Sequence, residues 1–127
     1  MKKIITAPDA PAPRGPYSQA VQAGNLLFTA GQLPLDPKTG QIVEGGIEAQ
    51  TQQVLENLKA ILHAADLDFS HAVKVNVYMD DIANRSAINH IYANYFPTDP
   101  PARTSIEVSA LPMDSLVEME LIALLDS

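Results

Sequence analysis

An α+β domain, built on a mixed sheet with two helices on one face, is the fold class this 127-residue sequence predicts. Three observations predict it. Apolar residues recur at helical spacing over 47–65 and again over 88–95. Residues alternate in polarity over 73–80, 102–109 and 116–124, the period of a strand with one buried side. Turn residues rather than helical patterns punctuate the first 46 positions. The predicted order is ββ(β)–α–β–α–ββ. Neither a repeat nor a composition shift divides the chain, so 1–127 reads as a single domain.

Pro8, Pro11, Pro13 and Pro16 exclude a helix or a central strand from 7–16 and leave an arm or a pinned extended segment. Residues 17–31 read as a hairpin that turns at Gly24-Asn25, since both residues tolerate positive φ. Asp36-Pro37-Lys38-Thr39-Gly40 is a second turn, expected to close a small surface hairpin that ends at Gly45-Gly46. Val54, Leu58, Ile61 and Ala65 form the stripe of the first helix, and Asp66 is a candidate left-handed stop. In the strand after it, Val73, Val75, Val77 and Met79 are expected to face one way and Lys74, Asn76, Tyr78 and Asp80 the other. Asp81 or Asn84 caps the second helix, whose apolar side holds Ile88, Ile91, Tyr92 and Tyr95; Pro97, Pro100 and Pro101 end it. Arg103, Ser105 and Glu107 share one side of the next strand, and Glu118 and Glu120 share one side of the last.

Composition excludes several function classes. Eight basic residues against fifteen acidic ones, a net charge of −7, leave no footprint for nucleic acid or an anionic membrane. Absence of cysteine removes disulfides, thiolate nucleophiles and Cys-ligated metals. His63, His71 and His90 lack metal-ligand spacing, so all three read as structural and no metal is expected. The N-terminal Lys2-Lys3-Ile4-Ile5 is followed by Thr6 and prolines and has no signal-peptide core, and no stretch approaches a membrane span. The expected location is cytoplasmic.

Two helices cover one face of a sheet. The other face is expected to carry Lys74, Asn76, Arg103, Ser105, Glu107, Glu118 and Glu120. It is either a solvated face or an oligomer interface with a polar site, and periodicity does not separate the two. Glu118-x-Glu120 is either a solvated pair or a source of a general base, the latter only if Arg103 lies near. Arg103 is either a surface ion-pair partner or a fixed guanidinium for a small carboxylate.

The run Pro101-Ala102-Arg103-Thr104-Ser105-Ile106-Glu107-Val108, then Leu111-Pro112, then Val117-Glu118-Met119-Glu120, resembles the C-terminal signature of the Rid (YjgF) family of reactive-intermediate deaminases. Gly15-Pro16-Tyr17-Ser18-Gln19-Ala20 and Ala30-Gly31-Gln32-Leu33-Pro34-Leu35-Asp36-Pro37-Lys38-Thr39-Gly40 are similar to its two N-terminal motifs. The resemblance spans nearly the whole chain and is closest to the RidA-like subgroup. It implies a chorismate-mutase-like fold, a homotrimer with clefts between subunits, and cofactor-free hydrolysis of 2-iminobutanoate and 2-iminopropanoate to 2-keto acids and ammonia. By the same resemblance Arg103 pairs with the substrate carboxylate and Glu118 positions water. Tyr17 lines the cleft, backbone groups of Gly31 and Ser105 contact the ligand, and Asn89 is a further cleft residue. Ala30, Pro100 and Ser105 depart from common family residues without removing the Arg–Glu pair.

The alternative is a trimeric module that binds a small keto acid without turnover. A ribonuclease reading fits poorly with the acidic charge. Of three arginines, Arg14 falls in the proline-rich arm and Arg85 at a helix start, which leaves Arg103 as the one placed for a carboxylate. Substrates are then expected to carry a single carboxylate near the imine.

Overall fold

The computed structural model describes residues 1–125. A six-stranded sheet runs in the order β1 (Lys2–Ile5), β2 (Ala20–Ala23), β3 (Leu26–Thr29), β6 (Val117–Leu124), β4 (Ala72–Met79) and β5 (Ala102–Glu107). Only β4 and β5 pair in parallel; the others are antiparallel, so the sheet is mixed. Helices α1 (Gly46–Ala64) and α2 (Arg85–Tyr95) pack on one face. Among the described residues no helix is long and apolar enough to cross a membrane.

The first helix forms where its stripe predicts. Val54, Leu55, Leu58, Ile61 and Leu62 are wholly buried against Val75, Val77, Met119 and Leu121 of the sheet. Each such side chain contributes about 1.5–3 kcal/mol by leaving water. Gly45 precedes the helix at φ 115°, where a Cβ would press on Ala49 at 2.8 Å. Asp66 ends it at φ 60°, the left-handed conformation expected of it.

Polar side chains of α1 anchor loops rather than face water. Asn57 donates to the carbonyls of Leu33 and Leu35, each at 3.0 Å, and Gln50 accepts from the Leu116 N–H at 2.8 Å. Both residues are buried, and these bonds repay their desolvation. They hold the two segments that flank Glu118.

Four expectations need correction. The hairpin begins at Ala20, and 17–19 belong instead to the strap that precedes it. The third N-terminal strand is β1, while the 36–40 turn closes a small antiparallel loop as expected, with a bridge between Leu35 and Ile42 and bonds from the Asp36 N–H to the Gln41 carbonyl and the Val43 N–H to the Pro34 carbonyl. Val73 faces outward because a register shift between Ala72 and Lys74 turns Ala72 inward in its place. Asp81 caps a short 3-10 turn at Ile82–Asn84, and Asn84 makes no capping bond.

The fourth and fifth strands carry a larger departure. In a parallel pair, residues in register share a face. Val75 is opposite Arg103 and Val77 is opposite Ser105, so Arg103 and Ser105 lie on the helix side. Asn76 is opposite both Thr104 and Glu120, and Tyr78 opposite Ile106 and Glu118, so the two glutamates lie on the open side. The shared polar face expected for Arg103, Ser105, Glu107 and the glutamates does not exist within one chain. The reason is the position of β5 at the sheet edge. Neither of its sides is wholly buried, so polarity does not report which one faces the helices.

Candidate active site

Two clusters hold the residues singled out by the sequence. The first surrounds Glu118. Its neighbours Val117 and Met119 point into the core, which turns Glu118 outward from the opposite side of β6. The segment 31–33 runs beside it, because Gln32 and Met119 exchange backbone bonds of 2.7 and 3.2 Å. Gly31 thereby comes against the Glu118 side chain. A Cβ on Gly31 would overlap the carboxylate Oε2 and sit 3.0 Å from its carbon. Glycine is the one residue that leaves the carboxylate where it is.

The proline-rich strap closes the other side. Buried Gln19 pins it with three bonds: it accepts from the Ala7 N–H at 2.7 Å and donates to the carbonyls of Ala7 and Pro11 at 3.0 and 2.9 Å. Tyr17 follows, half exposed, its hydroxyl accepting from the Arg14 N–H at 3.0 Å. The result is a cleft of about 420 Å³ lined by Arg14, Tyr17, Gly31, Leu33, Met113 and Glu118, among others. Its walls are largely apolar. Burial raises the Glu118 pKa above the ordinary carboxylate range, and the neighbouring Glu120 charge adds to the rise. Glu120 is itself held by Asn76 at 3.0 Å and by the Tyr78 hydroxyl at 2.9 Å.

Arg103 organises the second cluster. Its guanidinium donates to Asn89 Oδ1 at 2.7 Å and lies 4.6 Å from the centre of the Tyr92 ring. Both contacts come from α2, one helical turn apart (i, i+3), which orients the planar cation on two sides. Tyr92 stacks in turn on Phe96, 4.5 Å between ring centres. The Tyr92 hydroxyl is buried with no hydrogen-bond partner among the described residues, and burial pushes its pKa to about 12 against the lowering influence of Arg103. Ser105 lies two residues along the same side of β5.

Tyr17, Gly31 and Glu118 are thus brought together, as are Arg103, Asn89 and Ser105, but the two groups sit on opposite sides of the sheet. Sequence reasoning missed Tyr92 as a support for Arg103, taking it only as part of an apolar stripe. It also set Arg14 aside, whereas Arg14 lines the Glu118 cleft. The signal for Arg14 was present in its spacing of three residues from Tyr17. The three histidines stay outside this cleft, and among the described residues no group of acidic or histidine side chains is arranged to hold a metal.

Comparison with known proteins matches this architecture along its whole length. The family profile described as Endoribonuclease L-PSP covers residues 7–125. A RutC family protein of Pyrococcus horikoshii is 54% identical over 123 residues, covering 97% of this chain and 98% of that protein. The mouse protein named 2-iminobutanoate/2-iminopropanoate deaminase is 45% identical over 123 residues, covering 97% and 91%. Among solved structures, Escherichia coli TdcF with bound serine superposes with a TM-score of 0.93 at 37% identity, covering 98% of this chain and 99% of that one. The extent and identity of these matches establish that the chain belongs to the Endoribonuclease L-PSP family, the Rid (YjgF) family of reactive-intermediate deaminases.

Proposed function

We propose that the protein hydrolyses 2-iminobutanoate, 2-iminopropanoate and related imino acids to 2-keto acids and ammonia, at sites formed between the subunits of a homotrimer. The observation that carries this reading is Glu118: a half-buried carboxyl with a raised pKa in a cleft whose walls are otherwise largely apolar. A carboxylate so placed is a stronger base than one in water, which suits it to take a proton from water. The mouse relative's name supports the substrate class.

Arg103 holds the substrate carboxylate with paired guanidinium donors, kept in orientation by Asn89 and Tyr92. The Tyr17 ring packs against the substrate, and backbone groups of Gly31 and Ser105 contact it. Glu118 accepts a proton from water as the water oxygen bonds to C2 of the protonated imine. Glu118 returns that proton to the carbinolamine nitrogen, the C–N bond breaks as the hydroxyl oxygen forms the new carbonyl and gives its proton back to Glu118, and ammonia leaves with the keto acid behind; Glu118 then releases the proton to solvent. One water is consumed and no redox change occurs, so no cofactor is required. Much of the acceleration comes from fixing C2 beside the water.

Because Arg103 and Glu118 face opposite sides of one sheet, their joint action calls for Arg103 of one copy beside Glu118 of another. The open face supports association. Ile4, Val21, Phe28 and Ile122 form a continuous apolar row across four strands, with Ile4 and Phe28 48% and 40% exposed.

Generating 2-iminobutanoate in situ from an amino acid and an oxidase, and following its decay, tests the reading. Wild type should accelerate loss of the imine and Arg103→Ala should not. A second reading is favoured by the serine-bound TdcF relative: capture of an amino or keto acid without turnover. Binding of 2-oxobutanoate with no effect on imine decay would select it. Cleavage of RNA has less support, given the charge of −7 and a cleft without histidine.

A further inference from the structure

Arg14 sits in the same cleft as Glu118, Tyr17 and Gly31. Its exposed side chain is anchored at one point, Nη2 donating to the Gly40 carbonyl at 2.5 Å, and the Arg14 backbone is tied to the Tyr17 hydroxyl. The Gln19 clamp immobilises the strap that carries it. Gly40 stands at φ +70°, and a Cβ there would press on Arg14 Nη2 at 3.1 Å, so the turn leaves room for this side chain. Among the described residues Arg14 makes no ion pair, and the Gly40 carbonyl is the one acceptor its side chain engages. Arg14 thus lines a cleft whose remaining walls are mostly apolar, and its guanidinium, anchored at the Gly40 carbonyl, keeps donors to spare.

Resting on the proposed imine hydrolysis, we propose that Arg14 is a specificity residue that extends the substrate class to 2-imino acids with an anionic side chain, the four- and five-carbon imino diacids. Arg103 takes the carboxylate next to the imine. Arg14 takes the distal carboxylate, at the end of the cleft away from C2. The hydrolysis itself is unchanged: water adds to C2, the C–N bond breaks, and a keto diacid and ammonia leave. Such imines arise wherever an acidic amino acid is oxidised at its α-carbon. The distal carboxylate taken by Arg14 adds to the single carboxylate near the imine that Arg103 is expected to hold.

The test has a kinetic arm and a binding arm. In the first, imines are generated in situ from alanine and from aspartate by suitable oxidases, and kcat/KM is measured for each at low salt. Replacing Arg14 with Leu should lower the diacid-to-monoacid ratio roughly tenfold or more, the loss expected for a charge-assisted bidentate contact, and Arg14→Lys should retain part of it. In the second, 2-oxoglutarate and 2-oxobutanoate are titrated by calorimetry into wild type and Arg14→Leu. Wild type should favour the diacid, and the variant should lose that preference. An unchanged preference in the variant, or no binding of 2-oxoglutarate to wild type, overturns the role of Arg14. If wild type accelerates the loss of neither imine, hydrolysis fails as the function, and the titration still decides Arg14 by the same criterion.

Discussion

Gly31 lies flush against the Glu118 carboxylate, with no space for a Cβ between them. The contact ties a backbone position to the ionisable group on which the proposed chemistry depends. Gly31→Ala would push aside the end of a flexible side chain rather than a strand. Its expected effect is a large fall in kcat with thermal stability changed by less than about 1 kcal/mol. Parallel imine-decay assays and thermal melts check it; a large loss of stability with kcat preserved would go against it.

Replacing Glu118 with Gln keeps the shape and removes the base, so kcat should fall by roughly 10²–10⁴. The acid limb of the pH–rate profile should lie above that of an ordinary carboxylate, because both burial and Glu120 raise the Glu118 pKa. Glu120→Gln removes the second cause and should move that limb to lower pH. The stability sign follows from the same shift. A carboxyl whose folded pKa exceeds its unfolded value favours the fold while protonated and loses that contribution as pH rises through the folded pKa. Glu118→Gln should therefore melt higher than wild type at neutral pH, with the difference shrinking in acid.

Tyr92 separates ring from hydroxyl. The hydroxyl is buried without a partner among the described residues, so Tyr92→Phe should be neutral or stabilise by about 1 kcal/mol while leaving KM near wild type. Tyr92→Leu removes the ring beneath Arg103 and should raise KM more than it lowers kcat. Melts together with steady-state kinetics on both variants distinguish the two contributions.

Gln19→Ala leaves the buried Ala7 N–H without its acceptor, at a cost of about 1–3 kcal/mol. The freed strap carries Arg14 and Tyr17, so limited proteolysis within 7–16 should accelerate and substrate affinity should drop with it.

Elements with one wholly buried side were legible in the sequence. The stripe of α1, the alternation of β4 beyond its bulge and the outward turn of Glu118 all follow from apolar residues that must leave water. The edge strand was not, because half-exposed Arg103 and Ser105 border solvent on a side that is also the helix side. Nor was β1, whose Lys2 and Lys3 mask a four-residue strand at the opposite edge. The candidate residues were found individually through their motifs. Their division into two groups depends on the register of β5 against β4, a long-range pairing that no local pattern encodes.

That division leads to the most direct test. If each site combines Arg103 of one subunit with Glu118 of its neighbour, two inactive chains should complement one another. Arg103→Ala and Glu118→Gln chains, denatured together in equal amounts and refolded as mixed trimers, should recover roughly a quarter of wild-type imine hydrolysis, since a heterologous ring restores one site in each mixed assembly. Each variant refolded alone should stay inactive. Mixed trimers that form but remain as inactive as the separate variants would contradict a site shared between subunits.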